Sequence, residues 1–283
     1  MVCSGAVADG VRAYDHVAAA SKTGDRHRQQ PADLRSRGRL PVLPPVQSNL
    51  GARQSSGELR GSGDIWRRFV WLHAALGRRA RATLVTTRHY AEIVDRWGGT
   101  GIVLHEPPPA WNPSKPTAPG PRPRVLFVTV FDRDEPLEEI MEAAGRLSDG
   151  DVVVTGDTSR ARAIIDHIPS NVTLSGWLDY ERFLRELDAA DVVVCLTTSP
   201  HAVLRSASEA IYACRVTVMS DQPALRDAFA PAVFCANEPA AIEAGVREAI
   251  RDHDRWRQQA DTARTKLVER WEEQLSALQH RIG

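Results

Sequence analysis

Between residues 124 and 283, six short valine-rich runs alternate with helical stretches, and no other feature constrains the fold as tightly. The runs are RVLFVTV, DVVVTG, NVTLSG, ADVVVCL, RVTVMS and AVFCA. Unbroken β-branched strands send apolar side chains to both faces of a sheet, so both faces must be covered. Helices placed between such strands make them parallel. The spacing of apolar residues predicts helices over Glu135–Ser148, Ser159–Ile168, Asp179–Ala189, Val203–Ala213 and Pro223–Phe229. Two longer helical patterns follow Glu238, the second charged and running from Arg255 to His280. The expected fold class is α/β, a doubly wound parallel sheet of the Rossmann kind.

Upstream, residues 107–123 hold eight of the 18 prolines in the chain, a density that resists both helix and sheet and marks a stiff interdomain linker. Residues 64–106 read as helix, strand, helix, strand: DIWRRFVWLHAALGRRA, RATLVTT, RHYAEIVDRWGG and GIVLHE. This is the pattern of the end of a second α/β sheet. Residues 1–63 carry one aromatic, Tyr14, and no sustained period beyond a short helical pattern near Val11–Ala20. Such a segment buries too little apolar surface to offset its chain entropy, so a disordered or non-native arm is expected.

The formal net charge is zero, yet residues 1–123 carry 18 basic against 9 acidic side chains, and the remainder carries the reverse excess. A basic half suits nucleic acid or an anionic membrane surface. The arm lacks interleaved aromatics for base stacking, so nucleic acid is not expected, while peripheral contact with a membrane stays open. Four cysteines with no Cys-x-x-Cys pair argue against a disulfide framework and a zinc ribbon. With no apolar run long enough to span a bilayer and no secretory leader, the expected setting is the cytoplasm, with the inner face of the membrane as a further contact.

Open parallel sheets bind ligands at the carboxyl ends of their strands, so the informative residues should directly follow each strand. Arg133, Asp134 and Glu135 follow the first, Gly156 and Asp157 the second, and Gly176 and Trp177 the third. Thr197, Thr198, Ser199 and His201 follow the fourth, and Asp221 the fifth. Hydroxyls at 197–199 suit phosphate oxygens, and Arg205 and Glu209 extend the set along the next helix. Bland readings stand beside these. Asp134-Glu135-Pro136 equally suits a helix start, Gly176-Trp177 a turn with a buried ring, and His201 a surface or capping histidine. Neither Gly-x-Gly-x-x-Gly nor Gly-x-x-x-x-Gly-Lys-Ser/Thr occurs at the first strand–helix turn, which disfavours a dinucleotide dehydrogenase and a P-loop nucleotidase.

The stretch NVTLSGWLDYERFLRELDAADVVVCLTTSPHAVLRSASEAIYACRVTVMSDQPALRDAF resembles the donor-nucleotide domain of family-four glycosyltransferases, retaining enzymes of the GT-B fold. In that family a glutamate, seven residues and a second glutamate open the helix after the fourth strand. Here His201 replaces the first and Glu209 is the second. The resemblance covers residues 66–283, with a loop Leu-Thr-Thr-x-x-His and an Arg four residues later as in one bacterial and archaeal subgroup. Residues 202–206 read Ala-Val-Leu-Arg-Ser where the family places glycines, and Cys214 stands where a glycine is common.

The resemblance implies a donor domain at 124–283 facing a truncated acceptor domain at 64–106. It implies that Glu209 holds the ribose of a nucleotide sugar and that the backbone around Trp177 faces the base. Thr197, Thr198, the amides at 202–204 and Arg205 would hold the diphosphate, with His201, near the transferred sugar, and Glu209 as the catalytic residues. No metal or cofactor is implied; the partners are a nucleotide-diphosphate sugar and a glycan or lipid-linked acceptor hydroxyl. The alternatives are a nucleotide-sugar epimerase and a non-catalytic nucleotide-sugar-binding remnant.

Overall fold

Each strand of the valine-rich half divides its side chains between two cores, as a pleat of period two requires. Val125 and Phe127 enter one core while Leu126, between them, enters the other. The computed structural model of the chain describes residues 52–53, 64–160 and 168–282. Strands β4 (Arg124–Phe127), β5 (Asp151–Val154), β6 (Val172–Leu174), β7 (Val192–Cys195), β8 (Val216–Ser220) and β9 (Val233–Cys235) form one parallel sheet in the order β6-β5-β4-β7-β8-β9. On one face pack α3 (Leu137–Arg146) and α7 (Pro239–Arg251), through Ile140, Met141, Ile242 and Val246. On the other pack α4 (Tyr180–Ala189), α5 (Arg205–Tyr212), α6 (Pro223–Phe229) and α8 (His253–Ile282), through Leu187, Ile211, Phe229 and Leu267. The doubly wound sheet read from the sequence is the sheet observed. The predicted helix over Ser159–Ile168 falls largely outside the described residues.

A second, smaller parallel sheet runs β1 (Ala52–Arg53), β2 (Thr83–Val85), β3 (Gly101–Val103), with α1 (Asp64–Arg79) and α2 (Arg88–Arg96) between its strands. Residues 52 and 53, read from sequence as part of the arm, belong to this sheet. A two-residue strand has no local periodicity, and only pairing with Thr83 and Leu84 defines it. The helical pattern near Val11–Ala20 lies outside the described residues. Tyr90, Ala91 and Val94 of α2 close on Val85, while Ala82 and Ile102 meet Leu278 from the far end of α8. The final helix thus serves both sheets.

The proline-rich segment runs without regular structure and is fastened to the larger sheet. Arg215, 5% exposed, donates to the Ser114 carbonyl at 3.0 Å and to Asp188 at 2.6 Å, and Asp188 also accepts from the Ser114 amide. Trp111 packs against the core on the α5 face. Cys214, just past the end of α5, adopts φ +54, the left-handed conformation that explains why a glycine is favoured there.

Candidate functional site

The strand order reverses between β4 and β7, and at such a switch point the loops leaving the carboxyl ends part to form a crevice. The loop after β4 is held by its own side chains. The Glu135 carboxylate accepts from the amides of Val130 at 3.0 Å and Asp132 at 3.0 Å. Burial outweighs those amides and pushes the Glu135 carboxyl up to about 7. Phe131 takes φ +57, and its ring lies where a Cβ at Gly156 would collide with it. Gly156 is therefore required by packing, at φ +126, and its amide donates to the Gly176 carbonyl at 3.3 Å. Asp157 turns back to accept from the amide and hydroxyl of Ser159.

The loop after β7 locks onto the loop after β4. The Asp134 carbonyl accepts from the Thr198 amide at 2.7 Å, the Thr197 hydroxyl at 3.1 Å and the Thr198 hydroxyl at 3.2 Å. The two hydroxyls read from sequence as phosphate donors are thus engaged within the protein. Thr197 is held again from the other side: its amide donates to Ser220 Oγ at 2.9 Å, and Asn237 Nδ2 donates to its carbonyl at 2.9 Å. Ser220 and Asn237 are themselves joined at 2.6 Å, so one asparagine after β9 ties the ends of β7 and β8. Ser199 is 2% exposed, and its hydroxyl makes no hydrogen bond to the described residues.

Glu209 and Arg205 lie one turn apart on α5 and form an ion pair at 3.0 Å, with the carboxylate side chain 9% exposed and the guanidinium 64% exposed. Tyr180, in the first turn of α4, lies beside this pair, with the Arg205 guanidinium 5.5 Å from its ring centroid. Burial raises the Glu209 carboxyl above its ordinary value against the opposing pull of Arg205. Trp177, three residues before Tyr180, is 72% exposed at the rim, which excludes the buried-ring reading. His201 is not a helix cap: its ring stacks on His89 of α2, centroids 3.7 Å apart. Arg133 is exposed on the β4 loop, and Asp221 pairs with Arg226 at the start of α6, over the end of β8.

The structure therefore gathers Asp134, Glu135, Thr197, Thr198 and Ser199 into one interlocked pair of loops, with Tyr180, Arg205 and Glu209 as a polar cluster on α4 and α5. Asp221 belongs to a separate exterior pair. Tyr180, Asn237 and His89 were not singled out from sequence. Tyr180 is the one with a local signal, since it opens the helix directly after Gly-Trp-Leu-Asp. Among the described residues no cluster of His, Cys, Asp and Glu could hold a metal ion, and no helix is long and apolar enough to cross a membrane. A cavity of about 260 Å³ lies at the opposite end of the sheet, lined by Pro123, Val125, Leu147, Arg247 and Arg251.

No protein-family model and no curated protein matches this chain. Solved structures do match. Sucrose-phosphate synthase from Thermosynechococcus elongatus aligns with a TM-score of 0.62 at 17% identity, over 80% of this chain and 65% of that one. Anabaena HepE, in complex with UDP and glucose, aligns with a TM-score of 0.63 at 12% identity, over 80% of this chain and 70% of that one. The fold is that of the GT-B glycosyltransferases. A variant of S. aureus TarM, in complex with Fondaparinux, alpha-GlcNAc-glycerol and UDP, aligns at 0.62 and 14% identity, over 79% of this chain. The chain spans 65% of the length of sucrose-phosphate synthase and 48% of that TarM chain.

Proposed function

We propose that this chain binds a nucleoside-diphosphate sugar in the crevice and transfers its hexosyl unit, with retention, to a hydroxyl of a glycan or lipid-linked acceptor. The observation that carries the reading is the placement of Glu209, Arg205 and Tyr180 on the helices after β6 and β7, beside the switch point, in a fold shared with the UDP complex of HepE. Glu209 accepts from the two ribose hydroxyls, and the backbone around Trp177 faces the base. The diphosphate lies at the start of α5, between the amides of 202–204 and the Arg205 guanidinium. Helix N-termini carry partial positive charge and unpaired N–H groups, so they favour such an anion. Thr197 and Thr198 contribute indirectly, by fixing the loop through Asp134. Arg133, exposed on that loop, supplies a second cation.

In the reaction the bond from the sugar C1 to the β-phosphate oxygen breaks, and a bond from the acceptor oxygen to C1 forms on the same face. The acceptor proton passes to the departing diphosphate, whose growing charge Arg205 and the α5 amides stabilise. His201 lies beside the transferred sugar. Calorimetric titration with UDP, ADP, GDP and UDP-glucose tests the reading. At least one diphosphate is expected to bind, and Glu209→Ala is expected to weaken it by about 2 kcal/mol, some thirtyfold, as for lost hydrogen bonds to a charged group. Absence of affinity for every probe, or an unchanged affinity in Glu209→Ala, overturns it.

A further inference from the structure

The two sheets meet through a pair of imidazoles. His89, in the first turn of α2 on the smaller sheet, lies face to face with His201, in the turn between β7 and α5 on the larger one. Their centroids are 3.7 Å apart and their planes differ by 10°. At that separation each ring covers one face of the other, and the edge of the His201 ring, which carries its nitrogens, faces away from the stack. His89 is itself well anchored. Its neighbour Tyr90 is 1% exposed and packs edge-on against it at 5.5 Å, and Thr87 caps α2 by accepting from the Tyr90 amide.

We infer that His89 is a positioning residue: it fixes the plane of the His201 imidazole, so that His201 hydrogen-bonds the sugar of the bound nucleotide sugar. The inference rests on the nucleotide-sugar reading of the crevice and adds to it a contribution from the smaller sheet. The binding site is composite. The nucleotide is held by the larger sheet alone, whereas recognition of the sugar depends on both.

The consequence is a split between two ligands. UDP, which lacks the sugar, should not sense the stack, while UDP-glucose should. In calorimetric titrations of the full chain, His89→Ala is expected to leave UDP affinity within about twofold and weaken UDP-glucose by roughly fivefold, the scale of one aromatic pair. His89→Phe, which keeps a flat ring, is expected to restore UDP-glucose binding. Because His89 acts through His201, His89→Ala in a His201→Ala background should cost nothing further. Equal weakening of UDP and UDP-glucose by His89→Ala, or additive losses in the double variant, overturns the inference and reduces His89 to a structural contact. Wild-type protein that binds UDP but gains nothing from the attached glucose overturns it while sparing the nucleotide site. Protein that binds neither defeats the underlying reading and this one with it.

Discussion

The two sheets follow the same alternation of strand and helix but differ in self-sufficiency. In the larger sheet every residue of β7 and β8 is buried, and helices from its own sequence cover both faces. The smaller sheet has a core of Val85, Tyr90, Ala91 and Val94, and completes its other side with Leu278 from the last turns of α8. Its helix α1 leaves Trp71 67% exposed and Leu76 51% exposed. Burial on both faces makes a sheet a folding unit in its own right; a sheet that borrows its cover depends on the lender.

Core truncations break the comparison most directly. Leu126→Ala, at a fully buried position of β4, is expected to cost about 3 kcal/mol and to lower the stability of the whole protein. Leu278→Ala is expected to cost about 2 kcal/mol, and its effect should be confined to the smaller sheet. Hydrogen exchange would separate them: Leu278→Ala should speed exchange at β2 and β3 while β4, β7 and β8 stay protected. Uniform acceleration across both sheets would show that they unfold as one.

Acid and base sharpen the same contrast, because the two regions carry oppositely shifted groups. Glu135, in the larger sheet, is raised to about 7 by burial, so the folded state holds its proton more tightly than the unfolded chain does. Its contribution to stability is full below about 4.5 and is lost as pH rises through about 7, on the order of 3 kcal/mol. His105, at the seam with α8, is lowered first by burial and then by Arg270. The unfolded chain binds that proton more readily, so this contribution is present above about 6.5 and is lost as pH falls below it. Urea titrations at pH 5 and pH 8 should show Glu135→Gln removing the loss on the alkaline side and His105→Gln removing the loss on the acid side.

The smallest effect concerns the uncovered helix. Replacing Trp71 and Leu76 together with glutamate is expected to change stability by less than about 0.5 kcal/mol, while reducing self-association in sedimentation velocity. Identical sedimentation of variant and wild type at high concentration would show that this face causes no association.

The strands and helices were legible because valine runs and helical periods are local patterns. The strand order was not, since pairing of β4 with β7 joins segments more than sixty residues apart. Two-residue β1 escaped notice for the same reason. At the site, sequence placed the candidate residues after their strands but could not tell what each one bonds. Thr197 and Thr198 are hydroxyls at the crevice, yet both donate to the Asp134 carbonyl, and Glu135 accepts from its own loop. Asn237 and His89 reach the site only through space, with nothing in their flanking residues to announce them.

The last helix runs for 30 residues without interruption, about 45 Å, from the core of the larger sheet to Leu278 and Gln274 at the seam. A rod of that length is a shared strut, seated in one core at its middle and in the other near its end. Because Ala263 and Leu267 pack on the larger sheet and Leu278 on the smaller, a shift of this rod along its length is felt by both sheets at once.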